Sequence, residues 1–68
     1  MLKPQYGEPE DRKRFFALIH FSSGSLYSTH IPYAIAQWEP VSRCWVYDDR
    51  ERLLTAAPDD IFEWYELS

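Results

Sequence analysis

A chain of 68 residues allows one domain and one core, and a domain near this size buries only about 60% of the surface its unfolded chain exposes. One cysteine, Cys44, rules out an intrachain disulfide, so three Trp, five Tyr and four Phe must supply the packing that other small folds take from cross-links or metal. The net charge of −4 is unevenly placed, the acidic C-terminal third opposes docking on phosphate, and the lone thiol and an N-terminus without an apolar stretch lead to the expectation of a cytoplasmic, unsecreted protein with no membrane span.

Residues 1–12 are polar and broken by Pro4, Gly7 and Pro9, and they read as an extended or disordered arm ahead of a single small β domain, 13–68. Residues 13–21 read as a first strand, Ser22-Ser23-Gly24 as its turn and 25–31 as its partner. That register sets Phe21 against Ser25, Ile19 against Tyr27, Ala17 against Thr29 and Phe15 against Ile31. It makes the odd-numbered face the core and leaves Phe16, Leu18, His20, Leu26, Ser28 and His30 partly wet.

Pro32 removes a ladder donor, and residues 33–38 resume as a strand up to a turn at 39–42 that contains Pro40. Residues 43–47 return, which places Trp38 opposite Trp45 and Ala36 opposite Tyr47. A cross-strand aromatic pair contributes roughly 0.2–1 kcal/mol beyond an alanine pair. After the charged loop 48–52, Leu53 and Leu54 are expected to fold back onto the core, and 56–60 reads as a turn. Residues 61–67 fit a strand with Phe62 and Trp64 on one face, or a helix begun by Pro58, Asp59 and Asp60; the short aromatic run favours the strand. The fold class that follows is mainly β, with α+β as the alternative: a small antiparallel sheet of four to five strands, a meander of hairpins, with at most one short helix.

Reactive constellations are sparse. His20, His30 and Cys44 are the only soft metal ligands; in the expected register the two histidines stand roughly 13 Å apart, too far to share a zinc ion, so no metal and no cofactor is expected. Cys44 has only Arg43 as a basic neighbour in sequence and reads as a passive thiol. The Asp48-Asp49 and Asp59-Asp60 pairs lack calcium-loop spacing, and Ser22-Ser23-Gly24-Ser25 lacks the lysine and following helix of a phosphate loop. The chain is therefore not expected to be an enzyme.

The chain from about Phe15 onward resembles a family of short proteins of unknown function from phages, prophages and enterobacterial genomes. The matching pieces are Phe15-Ala17-Leu18-Ile19, Gly24-Ser25-Leu26-Tyr27, Trp38 with Trp45, and Asp59 to Leu67. The last piece stands where the family closes on Thr-His-Trp-Met-Pro-Leu-Pro; here Glu63 replaces the histidine and both prolines are missing. The family's Trp-Ile opening has no counterpart in residues 1–12. The resemblance implies a phage-type accessory protein with no attached enzymatic activity.

Residues 48–68 sum to −5, which suits a basic protein surface. The expected function is protein–protein binding, with inhibition of a host enzyme or defence complex as one form of it. The acidic candidates are Asp48, Asp49, Glu51, Asp59, Asp60, Glu63 and Glu66. Phe16, Tyr33, Tyr47 and Tyr65 are the candidate surface aromatics, and Trp38 with Trp45 the structural pair. The alternative is a single-stranded nucleic-acid module, with Arg12-Lys13-Arg14 beside an aromatic sheet. Homo-oligomerisation is left open.

Overall fold

The structure, a computed structural model, describes residues 3–10, 12–22, 32–48 and 52–67. Five strands form one antiparallel sheet: β1 (Phe15–Phe21), β2 (Tyr33–Glu39), β3 (Cys44–Asp48), β4 (Leu53–Ala56) and β5 (Ile61–Leu67), in the order β4-β3-β2-β1-β5. A 3-10 turn at Pro58–Asp60 joins the two edge strands.

That short link can be spanned only by a curled sheet. Ala56 ends β4 in the row Ala56, Trp45, Trp38, Phe15, whereas Ile61 begins β5 beside Phe21, six residues further along β1. In a flat sheet the two ends are four strand spacings apart, roughly 19 Å, and also roughly 20 Å apart along the strands. The five peptide steps between them span at most about 18 Å, and a 3-10 turn shortens that reach. The sheet must therefore coil until opposite corners meet.

Side chains on the concave face record the coil. Trp45 and Trp64, three strand spacings apart in sheet order, bring their ring centroids to 5.6 Å. Phe21 of β1 meets Tyr47 of β3 at 5.4 Å. Trp45 also packs on Trp38 at 5.1 Å and on Phe15 at 5.8 Å, so three rings surround it. Small residues make the room: Ala56 is the partner of Trp45, and Ala36 that of Tyr47. Ala17, Ala36 and Ala56 are all buried.

The indole nitrogens of Trp38 and Trp45 are buried without a hydrogen-bond partner, at a cost of about 1–3 kcal/mol each. Burying a side chain of 150–250 Å² returns roughly 4–6 kcal/mol, so burial outweighs the orphaned donor. Trp64 is satisfied: its Nε1 donates to the Gly7 carbonyl at 2.9 Å.

That bond comes from the segment before β1. Gln5 and Trp64 exchange backbone hydrogen bonds of 2.8 and 2.9 Å, which adds a bridge along the β5 edge. Gly7 turns with φ 77°, a conformation side chains disfavour, and the segment leaves the edge there. Pro9 is buried, and Glu8 accepts from Nε and Nη2 of Arg43 at 3.0 and 2.7 Å. Arg43 itself sits at φ 56° and closes the β2–β3 turn, its N–H donating to the Glu39 carbonyl at 2.7 Å. The segment thus ties one sheet edge to the hairpin turn.

The tryptophan hairpin has the register expected from sequence, with Trp38 on Trp45 and Ala36 on Tyr47. The odd face of β1 is the core side, and residues 61–67 are a strand. Three expectations are corrected. Both edges of β1 are occupied, by β2 and β5, where a hairpin partner was expected: His20 faces Tyr33 and Glu63, and Phe16 faces Gln37 and Leu67. Residues 23–31 lie outside the described residues. Phe62 and Trp64 do not share a face, because a bulge between the Phe21–Ile61 and His20–Glu63 pairs leaves Phe62 outside the ladder and exposed. Leu53 does not fold onto the core; only Leu54 does.

Replacing Trp45 with alanine removes three ring contacts and leaves a cavity that costs about 3–5 kcal/mol. A 68-residue domain holds roughly 3–10 kcal/mol in total. Urea titration followed by near-ultraviolet circular dichroism is expected to show Trp45→Ala largely unfolded in buffer, and Val41→Ala, at an exposed turn position, unchanged. Removing residues 1–9 uncovers Trp64 and frees its indole donor. Tryptophan emission is then expected to move to the red, with a stability loss of about 1–3 kcal/mol.

Candidate functional site

Alternation along the strands sends a second set of side chains to the convex face. On β1 these are Phe16, Leu18 and His20; on β2, Tyr33, Ile35 and Gln37; on β3, Val46 and Asp48; on β4, Leu53 and Thr55. Phe16, Tyr33, Ile35, Leu53 and the bulged Phe62 remain 49–71% exposed. Such a run of large apolar side chains on one face is the kind of surface that marks an interaction site.

At one end of this face the rings form a cluster around a carboxylate. Tyr33 stacks on His20 with centroids 4.3 Å apart and planes 19° apart. Phe62 meets His20 edge-on at 5.6 Å and Tyr6 edge-on at 6.1 Å. Glu63, the β5 partner of His20, brings Oε1 to 3.5 Å from Nδ1, and no hydrogen bond forms at that nitrogen. Glu63 also accepts from the Tyr65 hydroxyl. Partial burial and this hydrogen bond, with the carboxylate charge behind it, raise the Tyr65 pKa above its ordinary value.

The expected site residues divide. Phe16 and Tyr33 are exposed on the convex face, and Tyr65 is partly buried there beside Leu18. Tyr47 is corrected: it is 3% exposed and packs in the core on Phe21, because it shares the face of Trp45. Trp38 and Trp45 are the buried pair expected of them.

Among the acids, Asp48 stands on the convex face as the partner of Leu53, and Glu63 lies within the ring cluster. Asp59 and Asp60 occupy the 3-10 turn. Glu66 is on the other side, where it lines a cavity of about 410 Å³ with Tyr6, Glu8, Glu10 and Trp64. Asp49 and Glu51 lie outside the described residues.

Of the basic run, Arg14 is engaged by Glu39 at 2.6 Å, and Phe15 turns inward onto Trp45 and Trp64. Cys44 is a partly buried thiol paired across the ladder with Glu39. Among the described residues no group of three or more His, Cys, Asp or Glu is placed to hold a metal ion; His30 is not among them. Likewise, among these residues no helix is long and apolar enough to cross a membrane.

Tyr6, Ile35, Leu53 and Phe62 were missed by the sequence reading. For Ile35 the signal was present, since it alternates with Ala36 and Trp38 and must point away from them. The Phe62 bulge and the return of Tyr6 to the β5 edge have no local sequence mark.

The raised Tyr65 pKa has a defined sign. The protonated phenol is the form the fold favours, so its contribution is present at neutral pH and is lost as pH rises through the raised value. Absorbance titration near 295 nm is expected to show a tyrosine ionising above the usual value of about 10. In Glu63→Gln that step is expected to move down, though not fully, because burial remains.

Comparison with protein-family models, curated protein sequences and solved structures finds no match to this chain.

Proposed function

We propose that the protein works by binding another protein through the convex face of its sheet, without chemistry of its own. The observation that carries this reading is the set of exposed apolar side chains Phe16, Tyr33, Ile35 and Leu53 on strands whose other face is the buried core. Such a surface is costly in water and is concealed by association. Glu63 stands at its β5 side and Asp48 within it, between Leu53 of β4 and the residues of β2, so the partner it fits is apolar with basic side chains placed to meet these two acids. The resemblance to short phage and prophage proteins supports an accessory role, in which a host enzyme or a defence complex is the partner class.

The face also presents rings that suit base stacking. The acids on it, Asp48 and Glu63, oppose a phosphate backbone, however, and Arg14 is neutralised by Glu39, which favours the protein partner.

The test is affinity capture from host lysate with the wild-type chain and with Ile35→Glu, whose position is already exposed and whose fold is checked by thermal melting. A protein captured by the wild type and lost by more than about tenfold with Ile35→Glu is the expected result. Capture that ignores the substitution contradicts the proposal. So does salt-sensitive binding of a labelled single-stranded oligonucleotide, read by anisotropy because all three tryptophans lie in the core.

A further inference from the structure

We propose that two copies of the chain associate by pairing their β4 strands antiparallel about a two-fold axis, which joins two coiled sheets edge to edge. The two sheet edges are treated very differently by the sequence. The β5 edge carries a bulge and two glutamates, and Gln5 covers it with a backbone bridge. These are the devices that block strand addition. β4, Leu-Leu-Thr-Ala, has none of them. It contains no charge and no proline, its ladder with β3 runs without a register shift, and no backbone hydrogen bond covers its outer side among the described residues. The backbone is still extended at Ala57, which borders the pairing edge, and its carbonyl accepts from the Asp60 N–H of the following turn at 3.0 Å.

Charge selects a second copy as the occupant. Arg52 precedes the strand and Asp59 follows it; both are exposed, and neither forms an ion pair among the described residues. Antiparallel pairing centred on Thr55 keeps each residue's face and sets Leu53 against Ala57 of the second copy. The same register sets Arg52 against Pro58 of that copy, beside its Asp59. The two-fold axis makes that charge match twice. An isolated chain leaves the same groups and the 71% exposed Leu53 to solvent. Five facing residues in each copy make a small seam, so the dimer is weak and in rapid exchange.

Sedimentation equilibrium over a concentration series tests the pairing. The expected result is a monomer–dimer equilibrium with a dissociation constant of roughly 10–500 µM, weakened by salt. Arg52→Asp and Asp59→Arg should each weaken it at least tenfold, with thermal melting unchanged, and the two together should restore it. Amide exchange at Thr55 should slow as concentration rises. A chain that stays monomeric up to about 1 mM overturns the proposal. So does a dimer that ignores both single reversals, or one whose concentration-dependent protection appears at Phe16 and Ile35 instead of β4, since the copies would then meet through the convex face. A monomer that protects β4 only on adding an extended foreign peptide overturns the second copy as the occupant.

Discussion

The contact between Trp45 and Trp64 is the constraint on which the architecture depends. Five strands laid flat in the order β4-β3-β2-β1-β5 would make an open ribbon with two wet faces, and 68 residues cannot stabilise that form. Rings from β3 and β5 reach each other only if the intervening β2 and β1 bend around them. Once they do, one face becomes an interior and the short link from β4 to β5 becomes possible. Alanines at positions 17, 36 and 56 serve the same end, since a larger side chain there would hold the walls apart.

The same coil produces the surface proposed for binding. Curling one face inward turns the other outward, and alternation forces every second residue of β1 and β2 onto it. Tyr33 and Ile35 are exposed because Ala34, Ala36 and Trp38 face inward. The exposed apolar row is thus a direct consequence of sequence parity, with the buried indoles beneath it. Polar residues at those positions would have served solubility better, which makes the choice of Phe, Tyr and Ile informative.

Much of this was legible in the chain, and the part that was not has a physical reason. Hydrophobic period reports which face a residue takes, and it correctly placed Phe15, Ala17, Ile19 and Phe21 inside. A short proline-containing turn reports a local hairpin, and it gave the Trp38–Trp45 register. Neither reports which distant strand takes a free edge. The Ser22-Ser23-Gly24 signal therefore suggested a neighbouring partner for β1, where the fold uses β2 and β5. A bulge changes parity without changing composition, so Phe62 and Trp64 were set on one face. Tyr47 was legible and misread: two residues after Trp45, it had to face the same way. The first ten residues look like a solvated tail, because backbone bridging at Gln5 and a carbonyl accepting from Trp64 leave no trace in side-chain type.

The most direct measurement of the central claim is a nuclear Overhauser experiment on the indole and phenyl protons. The coiled sheet predicts cross-peaks between the rings of Trp45 and Trp64 and between those of Phe21 and Tyr47, alongside the adjacent-strand pair Trp38–Trp45. A spectrum that shows the Trp38–Trp45 contact alone, with the two long-range ring pairs missing, describes a hairpin in an open sheet and contradicts the account.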